Sequence, residues 1–307
     1  MLCLWLNLLP HSVNKEKFIS EFHKSFNVIK ETEIEITKNV FNNLNAQFHS
    51  LFSSERYSTG YSRCLCLLIS NSISEIEERV KRCLRETGNN SNEAVSSFIY
   101  ITVDKRETDI MKEVIFNPNS LHFLNYGNPF RYNNARKLCE KFKHTLEKAN
   151  EKIDDYIIET SMVLAIYGVR NASDLDYSTL SENDVQFSEK QIERHGFFGQ
   201  QFYDCPIRSL IEDSTNYFVY NEMKFVSLER LLQYKESRFK NGGNYKDKTD
   251  IILITKLLEG GRGFWYELLR LRLLTQNEWK KKVNKFKDQL KALLIRFRIC
   301  KNDSFRI

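Results

Sequence analysis

The stretch Met162–Tyr177, MVLAIYGVRNASDLDY, decides how the rest of the chain is read. Its first six residues are uniformly apolar, and a short apolar run closed by a glycine reads as a buried strand. Gly168 breaks the run, and a polar turn leads to Asp174, Leu175 and Asp176. On a strand, side chains at i and i+2 share a face. Asp174 and Asp176 would then point together while Leu175 anchors the opposite face in the core. Two carboxylates so placed suit Mg²⁺ (or Mn²⁺). Mg²⁺ takes one or two carboxylates and completes its shell with water and substrate phosphates.

At Gly168, Arg170, Ser173, Asp174 and Asp176 the sequence resembles the DNA-polymerase-β-like nucleotidyltransferase superfamily. Its signature is an apolar strand, a glycine with a small residue, and an Asp-x-Asp on the next strand. The family's Gly-Ser pair reads Gly168-Val169 here, and the spacer to the acids is several residues shorter. A second resemblance runs through KFVSLERLLQYKESRF (Lys224–Phe239) and KDKTDIILI (Lys246–Ile254), with SLHFLN (Ser120–Asn125) as an outlying piece. These are similar to uncharacterised nucleotidyltransferase-like or glycosyltransferase-associated proteins of bacterial surface-polysaccharide gene clusters. The two resemblances imply an α/β (α+β) fold, a small mixed sheet of nucleotidyltransferase type flanked by helices. They also imply a nucleoside triphosphate or sugar nucleotide as donor and a saccharide as acceptor.

On that resemblance Asp174 and Asp176 hold the metal, Gly168 lets the backbone approach the phosphates, and Arg170 offers them a planar cation. Ser173 and Lys224 belong to the same phosphate-binding set. Lys235, Arg238 and Lys246 can reach triphosphate or sugar-phosphate oxygens, although an i,i+4 pair of Lys246 with Asp250 explains two of these charges without any ligand. His195, beside Arg194, is the best-placed histidine for contact with a phosphate. Asp213 is the candidate third carboxylate, with Glu212 as fallback, to bind a second metal or take the proton of an attacking hydroxyl.

The 307 residues carry a formal charge of +6, unevenly spread. Residues 261–307 hold 13 Lys/Arg against 4 Asp/Glu, so the rest of the chain is slightly acidic. Hydrophobic residues at 41% and charged ones at 28% argue against disorder. Seven cysteines without CxxC spacing point to reduced thiols in the cytoplasm and against structural zinc. The apolar Met1–Pro10 lacks a basic flank and a small-residue cleavage site, and reads as core, with a membrane-touching segment as the alternative.

In chain order, residues 1–60 read as an N-terminal helical region and 61–130 as a βαβ lobe built on SRCLCLLI (Ser62–Ile69) and SFIYITV (Ser97–Val103). Asp104 at the end of the second of these strands either lines a nucleotide cleft with Glu107 and the basic residues Arg79, Lys81, Arg82 and Arg85, or caps the next helix. His122, between Leu121 and Phe123 of a short strand, reads as a structural hydrogen-bonding residue. Residues 131–260 form the nucleotidyltransferase-like domain, entered by a helix over Arg136–Tyr156, and GGRG (Gly260–Gly263) ends it. Residues 261–307 are a basic amphipathic tail in which Trp279, Val283, Phe286, Leu290, Leu293 and Phe297 follow a heptad-like seam. Such a tail suits an acidic membrane surface or a partner helix; nucleic acid ranks last, because no aromatic-rich RNA motif accompanies it.

Three functions follow. The leading one is Mg²⁺-dependent nucleotidyl transfer. A rival keeps the same acids as the DxD motif of a sugar-nucleotide glycosyltransferase, and a third makes the chain an inactive binding or scaffold module. The expected location is the cytoplasm, with peripheral membrane contact through the tail left open.

Overall fold

The computed structural model describes residues 2–5, 14–48, 62–70, 73–87, 99–102, 104–183, 185–195, 200–242 and 244–303. Among the described residues the chain is mixed α/β, with eleven α-helices, a four-stranded antiparallel sheet and a five-stranded mixed sheet. It divides into two units: Met1–Gln201 with Cys205–Leu231, and Phe202–Asp204 with Leu232–Ile307. No helix among the described residues is long and apolar enough to cross a membrane.

The first unit opens with β1 (Leu2–Trp5), α1 (Lys15–Ser25), β2 (Val28–Ile36), α2 (Lys38–Gln47), β3 (Ser62–Ile69), α3 (Ile73–Glu86) and β4 (Ile99–Ile101). The sheet order is β2-β3-β1-β4, with every neighbouring pair antiparallel. Two split β-α-β units therefore interleave. The βαβ expected over this region exists as β3-α3-β4, but β1 lies between its strands, so they are not neighbours. The expected helical region 1–60 is corrected too, since it contributes two strands. In β2 the alternation Glu33-Ile34-Glu35-Ile36 buries both isoleucines, a period of two that marks a strand. Helix α1 starts at Asn14, whose side chain accepts from Lys17 N at 2.9 Å, and buries Phe18 and Phe22. Cys64, Cys66, Cys83 and Cys139 are buried and form no disulfide.

Next come α4 (Lys105–Ile115), α5 (Pro118–Tyr126) and α6 (Asn133–Lys148), followed by β5 (Tyr156–Glu159), α7 (Thr160–Ile166), β6 (Leu175–Thr179), β7 (Ile192–Arg194), α8 (Ile207–Glu212), β8 (Tyr217–Tyr220) and β9 (Met223–Val226). The second sheet runs β7-β6-β5-β9-β8. β5 pairs antiparallel with β6 and parallel with β9. Phe123 stacks on Phe218 at 4.8 Å, and Phe218 on Phe225 at 5.2 Å, fastening α5 to this sheet.

The decisive correction falls on Met162–Tyr167. These residues form the buried helix α7 and its C-cap, not a strand, and Met162 through Ile166 are all buried. A helix apolar on every side is one buried on every side, and periodicity alone cannot separate it from a buried strand. The strand before the acids is the short β5, which the expected helix over Arg136–Tyr156 had obscured. Likewise SLHFLN is helical: Asn117 caps α5, with Pro118 in its first turn, and accepts from Asn119 N at 2.8 Å.

The second unit holds the remainder of α9 (Leu228–Lys240), α10 (Tyr245–Gly260) and α11 (Phe264–Asp303). Asn244 and Asp247 form a capping box at the start of α10, and Gly261, with φ of 67°, ends it, as the GGRG punctuation predicts.

Candidate functional site

The site is built on the turn between β5 and α7 and on the strand β6 that pairs with it. Antiparallel register sets Glu159, the last residue of β5, directly opposite Asp176. Leu175 is fully buried beside it, so the strand is anchored from behind while Asp176 stays half-buried and Asp174, just before the strand, is exposed. Thr160 donates its hydroxyl to Asp176 Oδ2, and Ser161 donates to Asp174 Oδ1 at 3.0 Å. Ser173 reaches the same Asp174 oxygen at 3.3 Å. One turn of chain thus fixes both carboxylates.

That turn is strained. Thr160 has φ of 53°, a left-handed conformation that costs a β-branched residue on the order of 1–3 kcal/mol. The conformation aims its hydroxyl at Asp176.

His195 follows β7 and is tied into the site from the other side. Its backbone N–H donates to Tyr177 O at 2.7 Å, and its ring Nδ1 lies 2.7 Å from Glu159 Oε2. Glu159 is completely buried, and its other oxygen, Oε1, has no hydrogen-bond partner among the described residues. A buried carboxylate oxygen of this kind calls for a donor that the described side chains do not supply. Burial pushes the Asp176 carboxyl above its usual range; Thr160 and His195 offset this in part, while Asp174 and Glu159 add to it.

The oxygen-rich donor set of Asp174 and Asp176, with hydroxyls behind them, fits a hard divalent cation. Among the described residues no three His, Cys, Asp or Glu side chains are grouped to hold a metal ion. A cation here would therefore have two protein carboxylates and draw its other ligands from water and substrate, the usual situation of Mg²⁺.

Other expected site residues have different work. Gly168, with φ of 71°, ends α7 in a Schellman motif: Val169 N donates to Leu164 O at 2.8 Å and Gly168 N to Ala165 O at 2.9 Å. Its own carbonyl accepts from Arg131 at 2.9 Å, and a carbonyl-rich helix C-terminus is unsuited to a phosphate cradle. Arg170 donates to the neighbouring Asn171 carbonyl at 3.1 Å. Asp213 caps a turn before the edge strand β8: its Oδ1 accepts from Thr215 N at 2.9 Å and Thr215 Oγ1 at 2.7 Å, which holds its carboxyl below the usual range. Glu212 pairs with Arg208 at 2.6 Å. The acid opposite Asp176 is Glu159, which the sequence reading passes over because the helix expected over Arg136–Tyr156 runs into the first residue of β5.

Lys224 donates to the carbonyls of Asp154 and Ile211, each at 3.0 Å. It also lines a cavity of about 390 Å³ with Arg106, Glu113 and Glu222. There Arg106 pairs with Glu222 at 2.6 Å, and Glu113 accepts from the Tyr217 hydroxyl at 2.9 Å. Asp104 caps α4, accepting from Glu107 N at 2.8 Å, and Arg79 is held by Ser25 O and Glu75. His122 is half-buried with Nδ1 3.1 Å from the Tyr167 hydroxyl.

In the second unit Lys235 is buried between Asp247 at 3.0 Å and Asp250 at 3.1 Å, and Arg238 reaches Asp247 at 3.4 Å. Asp250 therefore serves Lys235 and not Lys246, which is exposed in the first turn of α10. These charges are an internal brace between α9 and α10. Comparison with families of known proteins, with curated proteins and with solved structures gives no match to the chain.

Proposed function

We propose that the chain is a Mg²⁺- or Mn²⁺-dependent transferase of the nucleotidyltransferase type, acting on a nucleotide donor and a hydroxyl-bearing acceptor. The observation that carries this reading is the register of β5 with β6, which faces a buried, half-satisfied Glu159 with Asp176 and hangs both aspartates from one strained turn. Asp174 and Asp176 would hold the cation. When bound, it supplies charge neutralisation at the phosphate under attack. Thr160, Ser161 and Ser173 orient the two carboxylates.

Glu159 and His195 supply the proton chemistry. Glu159 Oε2 would accept from Nδ1, and the tautomer that follows makes Nε2 the ring's acceptor. Nε2 would take the proton of the acceptor hydroxyl as it attacks phosphorus, and the pyrophosphate would depart with the bonding electron pair. The acceptor class, a saccharide or its precursor, rests on the surface-polysaccharide resemblance.

The test is a coupled assay that identifies the leaving group from nucleoside triphosphates and sugar nucleotides with Mg²⁺. Pyrophosphate release that vanishes in the Asp174→Asn, Asp176→Asn double variant is expected. His195→Ala should slow the reaction by roughly 10²- to 10⁴-fold. Release of a nucleoside diphosphate would identify the DxD glycosyltransferase instead. No turnover of either donor class would leave the binding-module reading.

A further inference from the structure

Helix α11 buries one side and leaves an apolar stripe exposed on the other. Towards α10 it buries Tyr266 and Arg270, and Asn277 donates to Thr249 at 3.0 Å. On its outward side Phe264, Trp265, Leu268, Leu271, Trp279 and Phe286 are 49–77% exposed. At 100° per residue these six fall within one broad stripe, about 33 Å long at 1.5 Å per residue. Large exposed apolar patches on a folded chain mark a contact surface. The same side carries an open groove of about 720 Å³, lined by Leu268, Leu271, Arg272, Thr275, Trp279 and Lys280.

The charges select the occupant. Arg272, Lys282, Lys285 and Lys287 are exposed and form no ion pair among the described residues, whereas Glu278 is matched by Lys281 at 2.6 Å. A second copy of the helix would set lysines against lysines. Arg272 and Lys282 lie inside the stripe itself, between Leu268, Trp279 and Phe286. In a helix-helix seam they would be buried without partners, at a high cost. At a lipid surface they can snorkel to the headgroups while Trp, Phe and Leu enter the interface. We infer that the outward face of α11 docks on an anionic phospholipid surface, with the helix lying in the plane of the interface.

The test uses the full chain and two kinds of vesicle, phosphatidylcholine alone and phosphatidylcholine with phosphatidylglycerol. Expected are co-sedimentation with the anionic vesicles only, weakening with salt, and a blue shift of tryptophan fluorescence. Trp265→Ser with Trp279→Ser, and separately Lys282→Glu with Lys285→Glu and Lys287→Glu, should each reduce partitioning at least about tenfold while leaving the melting temperature unchanged, since every changed side chain is surface-exposed or outward-facing. Failure to bind anionic vesicles overturns the inference. So does equal binding to neutral vesicles, binding indifferent to both variants, or a dimer in sedimentation equilibrium that Trp279→Ser dissociates.

Discussion

Two acid clusters in this chain look alike in sequence and differ in structure. Asp247 and Asp250 face the buried Lys235, with Arg238 alongside, so each charge there meets an opposite one. Asp174 and Asp176 meet hydroxyls, and among the described residues no lysine or arginine forms an ion pair with either. Across from them Glu159 keeps one buried oxygen without a partner among the described residues, and burial holds the Asp176 carboxyl above its usual range. A cluster whose charges cancel internally serves the fold. One left short of positive charge, on a strained turn, is what the proposed cation site requires.

The contrast can be broken by substitution, and the largest effect belongs to the paired cluster. Lys235→Ala strands two buried aspartates and should cost about 3–5 kcal/mol, read by chemical denaturation. A cost below about 1 kcal/mol would mean that the brace is not structural. Next is Gly168→Ala, which forces a Cβ into a left-handed φ and should cost roughly 1–2 kcal/mol while leaving nucleotide turnover intact. Loss of turnover without loss of stability would restore a phosphate role to Gly168.

The unpaired cluster should respond in the opposite sense. Asp176→Asn removes a carboxylate that burial disfavours and keeps an acceptor for the Thr160 hydroxyl. The metal-free variant should melt at or above the wild-type temperature although its activity is gone. A clear drop in melting temperature would place Asp176 with the braces. Smallest is Asp213→Ala, expected to loosen one exposed turn with no change in turnover.

Much of the fold was legible wherever a signal was local. The Ser227 hydroxyl accepts from Arg230 N at 3.3 Å at the start of α9, the local signal that a serine ahead of a helical run carries. Gly260–Gly263 was readable as the end of a helix. Helix α7 was not, because a seven-residue segment buried on all sides has no polar face to reveal its period. Nor was Glu159, whose importance comes from a strand pairing that no local pattern encodes. Sheet order was hidden for the same reason: β1 enters between β3 and β4 from about sixty residues away in sequence. In β2 the Glu-Ile alternation was present, but the helical spacing of Val40, Leu44 and Phe48 just beyond it drew the whole region into one reading.

The most direct measurement is isothermal titration calorimetry of Mg²⁺ with a non-hydrolysable nucleoside triphosphate on the wild type and on Asp174→Asn with Asp176→Asn. Saturable binding by the wild type, requiring both cation and nucleotide and absent from a double variant that remains folded, is the predicted result. Equal heats from the two proteins, or none from the wild type, would contradict it.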